Sequence, residues 1–169
     1  MLENKSLELL IELEGEKLEA YLCPSGIATI SVGLTVYPDG TKVKLGDKIT
    51  KEQSREYLKQ VLEQFEKQVV LLLDGLPLPR KALDSLIIFS FNVGVSAFAK
   101  STLLKEIKKN RNNLKEIEKQ FNRWIYSGDR VLQGLMIRRL KEYQLYEKGI
   151  LSQYTYKERE QLFHKCNLK

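Results

Sequence analysis

The 169-residue sequence predicts an α+β fold: a helix, a small antiparallel sheet, one long helix and then an all-helical lobe. Three observations carry this. Leu7, Leu10 and Ile11 recur at helical spacing. The period then gives way to a β-rich, glycine-punctuated stretch from Ile27 to Val36. Helical spacing returns at Leu58 and persists, interrupted by glycine and proline, to about Leu145.

The first helix is expected from about Ser6, with Leu9 and Leu13 widening its stripe and Gly15 marking its end. A sheet is expected over 20–49. Ile27 to Val36 supplies one strand, Pro38-Asp39-Gly40 a turn, Thr41 to Lys44 a returning strand and Gly46-Asp47 a second turn. Thr50 and Gln53 form a capping box. Behind it Leu58, Val61, Leu62, Phe65, Val69, Leu72 and Leu73 hold a helical period for about four to five turns. That helix breaks at Gly75-Leu76-Pro77-Leu78-Pro79, and the next begins near Pro79. From Leu86 to Phe91 it is nearly apolar all round, which marks the centre of the helical core. Shorter helices are expected at 101–109, 113–126 and 134–148, with Ser127-Gly128-Asp129 as a turn and Leu135, Leu140 and Leu145 facing inward. In the tail, Thr155 and Glu158 have capping-box spacing. The expected organisation is one domain with an N-terminal lobe of about 1–57, a helical lobe of about 58–148 and a tail of 149–169, a ligand lying in the groove between the lobes.

Composition narrows the function. Hydrophobic residues are 43% and charged residues 30%, with 10 Gly and 4 Pro, which excludes disordered and collagen-like classes. The longest apolar runs, such as Val69 to Leu73, fall far short of the roughly 20 residues a membrane helix needs. Glutamates interrupt the apolar N-terminal stretch, so it does not read as a signal peptide, and synthesis in a cytosol is expected. One histidine, His164, and two cysteines, Cys23 and Cys166, remove most metal and Ser/His/Asp chemistries. No metal or organic cofactor is expected, and catalysis must rest on carboxylates, hydroxyls, amides or a thiol. The net charge of +6 is uneven: −3 over residues 1–99 and +9 over 100–169. The basic half suits an anionic polymer such as the bacterial envelope, and equally a solvated lysine-rich surface. No nucleic-acid reader motif is present, so no nucleic-acid partner is expected.

Glu14 is the first candidate for chemistry. One further step along the Leu7, Leu10, Ile11 stripe reaches it, in the last turn before Gly15. There the negative end of the helix dipole opposes ionisation, and partial burial adds to the effect. Both favour a general acid near neutral pH. The equally open alternative is a frayed end with Glu14 turned to solvent. Cys23 and Thr29 follow on the hairpin, where strand geometry places a few side chains toward the same groove, although packing alone explains a thiol and a threonine there.

These residues resemble a known family. Glu14-Gly15, Ala20-Tyr21-Leu22-Cys23-Pro24, Gly26, Thr29-Ile30, Gly33 and Thr35 are similar to the signature of phage-type lysozymes, which have Glu, then Asp or Cys nine residues on, then Thr fifteen residues on. Two further blocks match: Phe89-Ser90-Phe91-Asn92-Val93-Gly94 with Phe98 and Ser101-Thr102-Leu103-Leu104, and Trp124, Gly128, Arg130-Val131-Leu132, Gly134-Leu135, Arg138-Arg139 and Glu142. The resemblance spans about 7–148. It implies a lysozyme-like fold, two lobes joined by a long helix, and hydrolysis of the β-1,4 bond between N-acetylmuramic acid and N-acetylglucosamine in peptidoglycan. It implies Glu14 as general acid, Thr29 and Cys23 as holders of the attacking water, and Phe91, Asn92 and Ser101 as substrate contacts. It further implies a monomer, in peripheral electrostatic contact with the envelope, that stays in the host cytoplasm until released to the wall. Cys23 stands where many members have aspartate, and a thiol of ordinary pKa near 8.5 is mostly neutral at pH 7. Ser31, Val32 and Leu34 depart from the family's usual glycine, aromatic and histidine. A serine at 31 is tolerated unless φ must be positive, and Leu34 is expected to dry the site. These departures keep open a catalytically inactive, peptidoglycan-binding homologue. A Cys23–His164 peptidase lies outside the matched pattern.

Overall fold

The computed structural model describes residues 2–155 and 158–159. The chain divides into two compact units, Met1–Glu66 and Lys67–Lys169, with the boundary inside the long helix.

In the first unit, α1 (Asn4–Glu14) buries Ser6, Leu7 and Leu10. It stops where Gly15 takes φ 79° and donates its N–H to the Ile11 carbonyl at 2.9 Å. β1 (Lys17–Leu22) pairs antiparallel with β2 (Ala28–Ser31), setting Tyr21 opposite Thr29 and Lys17 opposite Ser31. This corrects the expected sheet. The first strand begins upstream, at Lys17, and the stretch read as one strand to Val36 is cut at Ser31. The cause is local: Ser31 has φ 56° and Gly33 φ 86°, and Ile30 and Leu34 exchange both backbone hydrogen bonds at 2.8 Å across the intervening turn. Thr41 to Lys44 forms no strand, and the chain there makes an isolated bridge from Val36 to Lys42. A small core of Ala20, Ile30 and Val43 is flanked by Ala28, Leu34, Tyr37 and Ile49. The capping box opens α2 (Lys51–Leu73): Thr50 N–H donates to Gln53 Oε1 at 2.8 Å, and Gln53 N–H to Thr50 Oγ1 at 3.2 Å.

The second unit holds the end of α2, then α3 (Arg80–Val93), α4 (Val95–Lys100), α5 (Thr102–Asn110), α6 (Leu114–Phe121), a hairpin of β3 (Tyr126–Ser127) with β4 (Arg130–Val131), and α7 (Gln133–Leu151). Leu86, Ile87, Ile88 and Phe89 are fully buried, as the all-apolar run predicts. Phe98, Phe121 and Trp124 meet the Phe89 ring edge-on at 5.9, 5.4 and 5.4 Å, each pair adding about 0.5–1.5 kcal/mol beyond area burial. α3 lies tight against α7: a Cβ on Gly149 would sit 2.4 Å from the Ala82 nitrogen.

Two expectations fail in this unit. The helix expected at 113–126 ends at Phe121, and Tyr126 to Val131 turn back as a hairpin through Gly128 at φ 57°. The inward face of α7 is built from Arg138, Arg139, Glu142, Tyr143, Tyr146, Gly149 and Ile150, while Leu140 is 48% exposed. Charge is tolerated inside because Arg139 and Glu142, both fully buried, pair at 2.8 Å, and the Arg139 guanidinium lies 4.8 Å from the Phe89 ring centroid. In the tail, Thr155 N–H and Oγ1 donate to Glu158 Oε2 at 2.7 and 2.8 Å, and Glu158 and Arg159 are helical. His164 and Cys166 lie outside the described residues. Among the described residues no helix is long and apolar enough to cross a membrane.

Candidate active site

The sequence-predicted residues fall into two clusters, one per unit. Glu14 is the last residue of α1 and is exposed. The expected partial burial is therefore absent. The apolar stripe is buried at Leu7 and Leu10, is only half-buried at Ile11 and ends before Glu14, which is turned to solvent as the alternative reading had it.

Cys23 and Thr29 are brought together by the turn that follows β1. Cys23-Pro24-Ser25-Gly26 closes with Gly26 N–H donating to the Cys23 carbonyl at 2.8 Å. Proline at the second position and glycine after the third suit that turn, and Gly26 takes φ 77°. Cys23 N–H then donates to the Ile27 carbonyl at 3.0 Å. This folds the half-buried thiol toward Ser25, whose Oγ lies 3.0 Å from Cys23 Sγ. The Ser25 hydroxyl first, then the backbone N–H groups of Ile27 and Ser25, favour the charged sulfur and hold the Cys23 thiol down to about 7. The Thr29 hydroxyl contributes least, and desolvation opposes. Thr29 itself is buried and donates to the Ile27 carbonyl at 2.9 Å. Thiol and hydroxyl thus bracket the same turn, and the thiol titrates near neutrality.

The departures at 31–34 are absorbed into the unit. Ser31 does occupy a positive-φ position, which costs a non-glycine residue about 1–2 kcal/mol. Its buried Oγ lies 2.7 Å from Ser54 Oγ. Val32 is buried and Leu34 joins the small core.

In the second unit, Phe91 is half-buried and Asn92 is exposed near the end of α3. Asn92 Oδ1 accepts a hydrogen bond from Arg139 Nη2, which fixes the amide and turns its donor end away from the arginine. Ser101 is buried and caps α5, accepting from Leu104 N–H at 3.1 Å and donating to the Phe98 carbonyl at 2.7 Å. It also lines a cavity of about 450 Å³ with Lys100, Gln120, Arg123 and Trp124. Trp124 therefore does two things, anchoring the core through Phe89 and forming a cavity wall. Lys100, Gln120 and Arg123 escaped the sequence reading, because they lie on separate helices and loops and share no period. The available signal was Arg123 beside Trp124. Among the described residues no group of three or more His, Cys, Asp or Glu is disposed to hold a metal ion.

The model of the phage lysozyme family matches residues 11–142. This chain belongs to the phage lysozyme family. It is 40% identical over 115 residues to the endolysin of Salmonella phage P22, covering 68% of this chain and 77% of that one. The endolysin of Acyrthosiphon pisum secondary endosymbiont phage 1 is 33% identical over 155 residues, covering 88% and 99%. Among solved structures, a P22 lysozyme mutant superposes with a TM-score of 0.78 at 35% identity, covering 86% of this chain and 97% of that one. The phage lysozyme family member described here is accordingly a peptidoglycan hydrolase of the glycosidase type, with the expected α+β architecture of small sheet and helical lobe.

Proposed function

We propose that the protein is a muramidase that cleaves the β-1,4 bond between N-acetylmuramic acid and N-acetylglucosamine, with Glu14 as general acid and Cys23 and Thr29 as holders of the attacking water. Glu14 donates its proton to the glycosidic oxygen as the C1–O bond breaks. Water held at the Cys23–Thr29 turn attacks the anomeric carbon. Where the thiol is ionised, its sulfur takes the water's proton, so one proton leaves Glu14 and one arrives at Cys23. The observation that carries this reading is the turn after β1: it sets a thiol tuned near neutrality beside Thr29, at the spacing from Glu14 that the family signature has.

Phe91, Asn92 and Ser101 are assigned to the sugar chain, Asn92 through its amide donor and Ser101 through its second lone pair. The protein acts as a monomer and reaches the wall from the host cytoplasm, which sedimentation and cell fractionation before and after membrane permeabilisation check. An inactive wall-binding scaffold is disfavoured by the way Ser31, Val32 and Leu34 are hydrogen-bonded or packed. The test is release of new reducing ends from peptidoglycan by the parent and by Glu14→Gln. Cutting by the parent alone is the expected result. Wall binding without cutting by either protein overturns the proposal in favour of the scaffold.

A further inference from the structure

We propose that Ser54, with Ser31 and Glu16, is a positioning device for the reaction: a hydrogen-bond chain, buried at its two serines, that fixes the two backbone segments carrying Glu14 and Thr29. This rests on the roles given to Glu14 and Thr29 above.

Ser54 sits in the first turns of α2 and is fully buried. Its Oγ donates to Glu16 Oε1 at 2.7 Å. Ser31 Oγ lies 2.7 Å from Ser54 Oγ and 3.4 Å from the Ser54 carbonyl. The proton order follows from chemistry. An ionised carboxylate only accepts. Ser54 must therefore spend its proton on Glu16, and Ser31 must donate to Ser54. All three groups are committed in one direction, and the chain ends on a charge, which strengthens its last bond.

Its two ends lie close to the proposed chemistry. Glu16 is two residues beyond Glu14, just past the helix end at Gly15. Ser31 is two residues beyond Thr29 on β2, opposite Lys17 of β1. The next residue of α2, Arg55, reaches Glu8 on α1 at 2.8 Å. One turn of α2 thus grips α1, the segment leaving it and the end of β2. Ser31 holds φ 56°, a conformation glycine adopts without strain. The serine replaces that freedom with a directional bond, which is what a positioning residue requires. Small displacements of reacting groups are costly in rate.

The experiment measures kcat and KM on soluble, uncrosslinked glycan strands by new reducing ends, well below each variant's melting temperature. Ser31→Gly breaks the chain while relieving the backbone, so it keeps the fold. The expected result is a fall in kcat of about tenfold for Ser54→Ala and Ser31→Gly, with KM within about twofold of the parent. Glu16→Gln, whose amide oxygen still accepts, lies closer to the parent than Glu16→Ala. Parental kcat in Ser31→Gly, or a change confined to KM, overturns the positioning role even if Ser54→Ala fails to fold. Glu14→Gln run beside them separates the two ideas: if it keeps parental kcat, the acid assignment falls and the positioning role falls with it, whereas an inactive Glu14→Gln with a fully active Ser31→Gly removes the positioning role alone.

Discussion

Both units bury apolar side chains, but the polar links inside them differ. Residues 67 onward fully bury Leu86, Ile87, Ile88, Phe89, Phe98 and Phe121 and seal a fully buried Arg139–Glu142 pair inside. Residues up to 66 bury Leu7, Leu10, Ile30, Val32, Val43, Leu58 and Leu62, and add directed polar links: the Thr50–Gln53 box, the Ser31–Ser54–Glu16 chain and the Arg55–Glu8 bridge. Apolar burial is strong but non-directional, whereas hydrogen bonds fix angles. The groups proposed for the chemistry, Glu14, Cys23 and Thr29, all sit in the unit with the directed links. On the proposed roles, the reacting groups are placed by the first unit, whereas the second carries a buried charge pair.

The sharpest way to break this division is Glu14→Gln. It should lower kcat by about 10²–10⁴-fold, the usual worth of a general acid, while thermal unfolding stays near that of the parent. A matching loss of melting temperature would mean that Glu14 serves the fold. Glu142→Gln addresses the other region. It leaves Arg139 buried without its counter-charge, which should cost about 3–5 kcal/mol, read as a fall in the denaturant midpoint at constant m-value. An unchanged midpoint would show that the pair is not what holds the inward face of α7.

The Cys23 thiol sharpens the comparison by pH. Its folded pKa of about 7 lies below the ordinary thiol range, so folding favours the thiolate. That contribution is present above the ordinary thiol range and is lost as pH falls through about 7. Thiolate assistance predicts a rising limb of kcat with its midpoint near pH 7, and alkylation of Cys23 in a Cys166→Ala background should show the same midpoint. Cys23→Ala should lose the limb and some activity. Cys23→Asp should keep activity and lose the limb, and a limb that survives in Cys23→Ala would take the thiol out of the mechanism. The smallest effect is expected at Thr50→Ala, which removes one half of the capping box at a cost of about 1 kcal/mol, read by chemical denaturation.

Much of the architecture was legible because it rests on local rules. Gly15 ends α1, Thr50 and Gln53 cap α2, and the Leu86 to Phe89 run is the core. The failures have physical causes too. Apolar periodicity assigns charge to the outside, so it misplaced Leu140 inward and could not see that Arg139 and Glu142 form a buried ion pair. Two-residue strands such as Tyr126–Ser127 carry no period at all. At the site, the spacing of Glu14, Cys23 and Thr29 was readable, but the environment of the thiol was not, since Ser25 acts on it through a turn closed by backbone bonds. Ser54 left no trace, because a serine in the first turns of a polar helix face looks like any solvated one.

Where Gly149 faces the Ala82 backbone, only hydrogen fits on the glycine. The contact acts as a detent for the sliding of α7 along α3. A slide of α7 by one turn along its axis would bring Leu145 or Tyr146 to that gap, and neither can enter. A single absent methyl group therefore sets the register of two helices, and with it the place where Arg139 meets Asn92.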